Sequence, residues 1–231
     1  MDRVIEPELM VSKEQVSSYS MADFSEGEEN LMDFICKYVE REEISFTDQD
    51  LIIDLGCGPG NITERLSKRW PHANVLGIDG SKEMILKAIS KKKMQVNKYS
   101  FRNLEYICSD IKNFHLNYSL NFYKLRLIVS NSLIHHITHI DEFFDVITNL
   151  SSQDTINIHK DLVRPIDEKS AQQLKFDCQK KYNETLTKDY YASLKASYRT
   201  SELKQIILKK KFKNLDVIED GEKYLIVYGS V

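Results

Sequence analysis

A chain of 231 residues with 32 Lys and Arg against 35 Asp and Glu has a net charge of −3, so it lacks the basic field expected of a nucleic-acid binder. Its 42% apolar content suits a soluble globule with a sizeable core, and no apolar run approaches the roughly 20 residues that cross a bilayer. The charged start Met1–Met10 is unlike a secretory signal, and Cys36, Cys57, Cys108 and Cys178 lie far apart without C-x-x-C or zinc spacing; reduced thiols, a cytoplasmic setting and no metal are expected.

Residues 1–49 precede the first strand. They comprise an extended start around Pro7, a polar stretch from Ser17 to Glu29, and a helix whose apolar face is Leu31, Phe34, Ile35, Tyr38 and Val39. Residues 50–162 alternate strands with helices, the pattern of an α/β fold with a parallel sheet. The strands are Leu51–Leu55, Val75–Asp79, Leu104–Cys108, Leu125–Asn131 and Thr155–His159, and a helix between the last two carries Ile140, Phe143, Phe144 and Ile147. Residues 163–213 read as mostly helical, a lid insertion, with Leu174, Cys178 and Tyr182 on one helix and Thr200 as the N-cap of another. Residues 214–231 read as a hairpin, Leu215–Ile218 and Tyr224–Tyr228 around a Glu-Asp-Gly-Glu turn. The whole is expected to form one domain. The runs Lys91–Lys93 and Lys209–Lys211 fall near helix C-termini and read as solvated ends that oppose the macrodipole.

The first strand runs into Gly56-Cys57-Gly58-Pro59-Gly60 and then into a helix. Such a turn lets a ligand lie against bare backbone. The dinucleotide fingerprint G-x-G-x-x-G is not met, because Asn61 stands where its third glycine belongs, and no Gly-Lys-Ser/Thr follows as a P-loop requires. Asp54, two residues before Gly56, suits a cationic ligand better than a pyrophosphate. Asp79 closes the second strand about twenty residues past the glycines, where an acid grips ribose hydroxyls. Gly80 and Ser81 then make a turn and an N-cap ahead of Met84. The third strand leads to Asp110 and Ile111, and the fourth ends on Asn131. Four polar strand ends converge on one crevice at the carboxyl edge of a parallel sheet.

These residues resemble the motifs of class I S-adenosylmethionine (SAM) dependent methyltransferases. The resemblance implies a Rossmann-like fold with a seven-stranded, mostly parallel sheet that ends in an antiparallel hairpin, helices on both faces, and SAM as cofactor. It implies cofactor contacts from Asp54, Gly56, Cys57, Gly58, Gly60, Asn61, Asp79, Gly80, Met84, Asp110, Ile111 and Asn131. Asp54 would serve the methionine end and Asp110 the adenine amino group. Methyltransferases of base or glutamine amines carry Asn/Asp-Pro-Pro-Tyr/Phe after the fourth strand. Here Asn131-Ser132-Leu133-Ile134-His135-His136 resembles the small-molecule branch instead. Together with Arg3–Glu8, Ala22–Phe24 and Asp161–Pro165 it is similar to a group of bacterial methyltransferases, many of them cyanobacterial. One departure is Leu150-Ser151-Ser152-Gln153-Asp154, where the family often has Lys-Pro-Gly-Gly.

Methyl transfer from a sulfonium is an in-line displacement, so alignment and exclusion of water supply most of the rate. A base adds about 10²–10⁴ where the acceptor carries a proton. His135 or His136 is the candidate, and on a helix only one of the two would face the pocket; the alternative is a helix-start histidine satisfied by backbone. Tyr19, Tyr190, Tyr191 and Tyr198 could shape the acceptor pocket. Arg164 could hold a substrate carboxylate, or pair with Asp161 or Asp167. His115 and His139 read as surface residues. A small-molecule acceptor is favoured. A protein or RNA acceptor, or SAM binding without methyl transfer, are the alternatives, and no membrane or nucleic-acid partner is expected.

Overall fold

Strand β1 (Asp50–Leu55) is buried along its whole length, as an apolar run covered on both faces requires. Leu51, Ile53 and Leu55 point into one core and Ile52 into the other, the period-two alternation of a pleated strand. The computed structural model describes residues 1–6, 10, 12–95, 101–114 and 122–231. Pro7 and Glu8 of the amino-terminal motif, and His115, lie outside the described residues.

β1 lies inside a seven-stranded sheet with β2 (Asn74–Asp79), β3 (Leu104–Cys108), β4 (Lys124–Asn131), β5 (Ile156–Leu162), β6 (Asn214–Asp220) and β7 (Tyr224–Ser230), in the order β3-β2-β1-β4-β5-β7-β6. The pairs β1–β2, β2–β3, β1–β4 and β4–β5 are parallel. β7 is antiparallel to both β5 and β6, the expected closing hairpin. Chain order reverses between β1 and β4, and ligands bind outside strand carboxyl ends at such a switch point.

Helices cover both faces. Leu31, Ile35 and Val39 of α2 (Ser25–Arg41) and Ile62 and Leu66 of α3 (Asn61–Arg69) fill one core. Phe143, Phe144 and Ile147 of α5 (Ile140–Leu150) and Leu203 and Ile207 of α8 (Thr200–Lys210) fill the other. α4 (Lys82–Gln95) packs on β2 and β3. Before β5, where the resembled family often has a proline-glycine turn, Thr155 closes the loop: its hydroxyl accepts from Ser152 N–H at 2.9 Å and its N–H donates to Ser152 O at 3.0 Å.

Two further layers roof the strand ends. α1 (Lys13–Met21), capped by Ser12, lies on α7 (Glu184–Ala196), which follows α6 (Glu168–Gln179). Side chains join residues 14–23 to residues 182–185: Thr185 Oγ1 donates to Glu14 at 2.6 Å, Asn183 Nδ2 to Ser18 Oγ at 3.0 Å, and Tyr182 Oη to Asp23 O at 2.8 Å. The strap before α1 is held by Val4 N–H on Lys195 O at 3.0 Å. The lysine runs are less solvated than expected. Lys91 pairs with Glu64 at 3.6 Å, Lys92 donates to Leu104 O, and Lys210 reaches Asp141 and Asp145. No helix among the described residues is long and apolar enough to cross a membrane.

Candidate active site

The glycine turn after β1 is shaped by three left-handed residues, Gly56, Gly58 and Gly60, with φ of 66°, 53° and 81°. Two of them are crowded. A Cβ on Gly56 would stand 2.6 Å from Leu133 Cδ1, and one on Gly60 would stand 2.2 Å from Tyr106 Oη. Gly58 is different, since a Cβ there would meet nothing within 4 Å. Its bare face is part of the wall of a cavity of about 600 Å³ at the carboxyl edge of the sheet, within the range of small-molecule sites.

Asp79 joins this loop to β2. Its carboxylate accepts Gly58 N–H at 2.8 Å and Ser81 N–H at 2.7 Å, and Ser81 Oγ meets Met84 N–H at 3.4 Å as a helix cap. Burial raises the Asp79 carboxyl above the ordinary aspartate range against the pull of these two N–H groups. Asp54 is wholly buried and accepts the Thr63 hydroxyl at 2.6 Å. Burial, with the nearby Asp79 charge, pushes it up to about 7, while Thr63 opposes the rise. A cation beside it would recover the carboxylate. Asp110 accepts Lys112 N–H at 2.9 Å and lines the cavity with Ile111.

Of the twelve residues expected at the cofactor, eleven line this single cavity. The exception is Gly60, whose crowding against Tyr106 gives it a packing role in the turn. Asn61 reaches the wall with its amide already engaged, donating to Glu28 at 2.6 Å and accepting from Lys91 at 2.6 Å. Cys57 is buried, and its N–H donates to Ile78 O at 3.0 Å.

The cavity continues under the roof, where Tyr19, Phe24, Tyr182, Tyr190 and Tyr224 form aromatic walls. Tyr19 packs on Phe24 with the rings tilted, 4.9 Å between ring centres, and burial raises its phenol pKa. Tyr191 is turned outward onto Glu168 and Gln172, and Tyr198 packs under the Arg3 guanidinium at 4.0 Å. Neither borders the cavity. His139 is exposed, as expected.

Both His135 and His136 face the cavity, which corrects the expectation that only one could. They lie on a single 3₁₀ turn (Ile134–His136), and their rings swing together, 4.2 Å between centres, toward the Glu6 carboxylate. His135 Nε2 is 3.4 Å and His136 Nδ1 3.2 Å from Glu6 Oε1. On its other side His135 Nδ1 bonds Asp161, which also accepts the His135 N–H at 3.1 Å. Burial works to lower the His135 pKa, but the carboxylates of Asp161 and Glu6 outweigh it and hold the pKa above the ordinary histidine value. Burial raises Asp161, yet His135 brings it below the usual range. For Glu6 burial wins, and its carboxyl is raised.

Arg164 is placed elsewhere. Its guanidinium donates to Met1 O at 3.2 Å, Ser197 O at 3.0 Å and the Glu202 carboxylate, away from the cavity and from both Asp161 and Asp167. It holds the end of β5 to the start of α8. Lys160 is one of the cavity residues that the sequence reading missed. β5 runs on past His159 to Leu162, so Lys160 stands 2% exposed inside the sheet edge, 2.6 Å from Asp220 and 4.6 Å from the Tyr224 ring centre. A lysine continuing a fully buried strand was the available signal. His159, beneath it, is buried against Ser130 Oγ at 2.9 Å and the edge of Phe143. Burial pushes it down to about 3, so it stays neutral.

A family model described as "Methyltransferase domain" matches residues 47–217. Among curated proteins, trans-aconitate 2-methyltransferase of Streptomyces avermitilis is 54% identical over 41 residues, 18% of this chain and 15% of that protein. The enzyme of the same name from Escherichia coli O157:H7 is 33% identical over 101 residues, 44% of this chain and 34% of that protein. The match thus spans about a third or less of these relatives' length. Among solved structures, the plantazolicin methyltransferase BpumL, in complex with a triazolic desmethylPZN analog and SAH, has a TM-score of 0.67 at 19% identity, covering 95% of this chain and 91% of that one. A SAM dependent methyltransferase from Aquifex aeolicus has a TM-score of 0.62 at 18% identity, covering 93% and 97%. These two likenesses are of fold.

Proposed function

The chain belongs to the methyltransferase-domain family, and on that premise we propose that it transfers a methyl group from SAM to a small-molecule acceptor. The observation that carries the reading is the continuity of one cavity. Asp54, Gly58, Asp79 and Asp110 wall its sheet end, and the aromatic and histidine-bearing walls of the roofed end open from it without a break. The sheet end fits a nucleoside bearing a cationic tail. Asp79, with each oxygen taking only one backbone N–H, has acceptor capacity left for hydroxyls. Gly58 leaves room that a side chain would fill, and Asp54, poised at about 7, gains a counter-ion when an ammonium arrives. When bound, SAM supplies a methyl group already activated on sulfur.

The chain's own contribution is to align and enclose. The α1–α7 roof and the walls of Tyr19, Phe24, Tyr182 and Tyr190 hold a flat or apolar acceptor body and keep water from the reacting line. His135 and His136 are the groups placed to take a proton from the acceptor, with Asp161 fixing the His135 ring through Nδ1. Lys160, 2.6 Å from Asp220, adds an amino group to the cavity wall.

Incubation with methyl-labelled SAM and a fractionated metabolite extract tests this. Label is expected in a low-molecular-weight fraction. Label confined to protein or RNA refutes the small-molecule acceptor, and an absence of heat with SAH in calorimetry refutes the cofactor assignment.

A further inference from the structure

We propose that Glu6, His135 and His136 form a binding site for a divalent cation of the zinc type, at the acceptor end of the cavity. Each residue presents one donor atom, and the three atoms lie within 4.8 Å of one another. Two of the separations, 3.4 Å from His135 Nε2 and 3.2 Å from His136 Nδ1 to Glu6 Oε1, are close to those of two ligands on one metal. Donors about 2.0–2.2 Å from Zn²⁺ at tetrahedral angles stand roughly 3.3–3.5 Å apart. Two imidazoles and one carboxylate, with a fourth position left open, are the donor set of a zinc site that handles substrate. His135 and His136 both line the cavity, so a cation they hold lies at its wall.

The surroundings are built as an outer shell. Metal-ligating histidines donate their second ring nitrogen to a carboxylate, which fixes the tautomer and turns the lone pair on the metal. Asp161 does this for His135: bonded at Nδ1, it leaves Nε2 aimed at Glu6. Ser193 Oγ donates to both Glu6 oxygens, at 3.1 and 3.3 Å, and steadies that carboxylate. The Arg3 guanidinium donates to the His135 carbonyl at 3.3 Å and so steadies the turn that carries the pair. Glu6 reaches the histidines only because the strap places it, 129 residues away in sequence from His135, so no motif spacing announces the set. Resting on the acceptor reading above only for its consequence, the site would take an oxygen-bearing acceptor, a hydroxyl or carboxylate, at the cation's open position, and there the cation, in place of the two histidines, would ease loss of the acceptor's proton.

The test uses the full chain, free of any affinity tag and stripped with a chelator. It is titrated with Zn²⁺ in a calorimeter and with Co²⁺ in a spectrophotometer. One equivalent of each is expected to bind, the Co²⁺ form showing the intense visible bands of low coordination number. X-ray absorption at the zinc edge of the unmutated protein should read two imidazoles. Glu6→Gln and His136→Ala should each weaken Zn²⁺ binding by about 100-fold or more, beyond the ~10–100-fold of an outer-shell loss expected for Asp161→Asn. SAH binding, measured on the same samples, should be unchanged in Glu6→Gln and His136→Ala. No stoichiometric uptake by the unmutated chain, or uptake that both ligand variants retain, overturns the site. Since SAH titration is read separately, failure of the metal site and failure of the methyltransferase reading are distinguishable.

Discussion

Asp79 spends one bond per carboxylate oxygen on backbone, Gly58 N–H at 2.8 Å and Ser81 N–H at 2.7 Å, and keeps the rest of its acceptor capacity for ligand. Replacement by Asn puts an NH₂ against one of these donors and removes the charge that would hold a ribose diol. Asp79→Asn is therefore expected to weaken SAH binding by at least about 100-fold, since a hydrogen bond to a charged acceptor is worth about 1.5–3 kcal/mol and its unmet partners cost more; calorimetry reads it, and an unchanged affinity removes Asp79 from the cofactor site. The glycines give a sharper comparison. Gly58→Ala and Gly60→Ala both impose a positive φ on alanine, at a cost of about 1 kcal/mol. At Gly58 the new methyl meets no protein atom and occupies cavity, so affinity for SAH should fall while stability changes little more. At Gly60 it strikes Tyr106, with Oη at 2.2 Å and Cζ at 2.7 Å, so stability should drop by a further 1–3 kcal/mol or so. Tyr106→Phe should restore part of that loss, because it deletes the nearer atom. At this scale the sequence placed Asp54, Asp79 and Asp110 along the cavity edge where the structure has them, because a carboxylate on or after a buried strand has few places to go. It could not tell that Gly60 faces Tyr106, nor that both histidines turn to Glu6. Those facts depend on side chains more than 40 residues away in sequence.

At the scale of elements, the strands and the helix faces were legible because burial writes itself as periodicity: every predicted strand appears, with shifts at the ends. The larger shift, β5 ending at Leu162 rather than His159, has a physical reason. Lys160 and Asp161 look like a strand's exit, yet each is neutralised by a partner from elsewhere, Asp220 and His135, and so the strand stays buried. Arg164 misled in the same way. A charge just past a strand end suggested the crevice, but its fork is taken by Ser197 O and Glu202 at the start of α8, where Glu202 also accepts Arg199 N–H at 2.9 Å. Arg164 is buried but Glu202 is 38% exposed, so truncation leaves the Ser197 and Met1 carbonyls unmet more than it strands a charge. Arg164→Ala should accordingly lower stability by about 1–3 kcal/mol, read as a shifted urea midpoint, with SAH affinity unchanged. A normal midpoint with lost transfer to the acceptor would instead return Arg164 to the active site.

For the whole molecule, two buried groups set opposing pH dependences. Asp54, at about 7 in the fold against roughly 3.9 unfolded, makes the folded chain bind more protons between those values, so its contribution to stability falls as pH rises through that window. His159, at about 3 against roughly 6.5 unfolded, makes the unfolded chain bind more protons, so its contribution is lost as pH falls from 6.5 toward 3. Between roughly pH 4 and 6.5 the two slopes, each about 1.4 kcal/mol per unit, oppose one another. Single variants separate them, because all other titrations cancel in the difference from the unmutated chain. The stability of Asp54→Asn relative to the unmutated protein should climb with pH from 4 to 7 by up to about 4 kcal/mol. That of His159→Gln should climb instead as pH falls below 6.5. Urea unfolding at pH 4.5, 5.5, 6.5 and 7.5 measures both, and a flat difference for Asp54→Asn contradicts the raised carboxyl. A bound SAH ammonium would favour the Asp54 carboxylate, so saturating ligand should shrink the Asp54→Asn slope at the upper end of the window. The opening slope of the free chain and its closing by ligand together tie the stability of the fold to the cavity at its sheet edge.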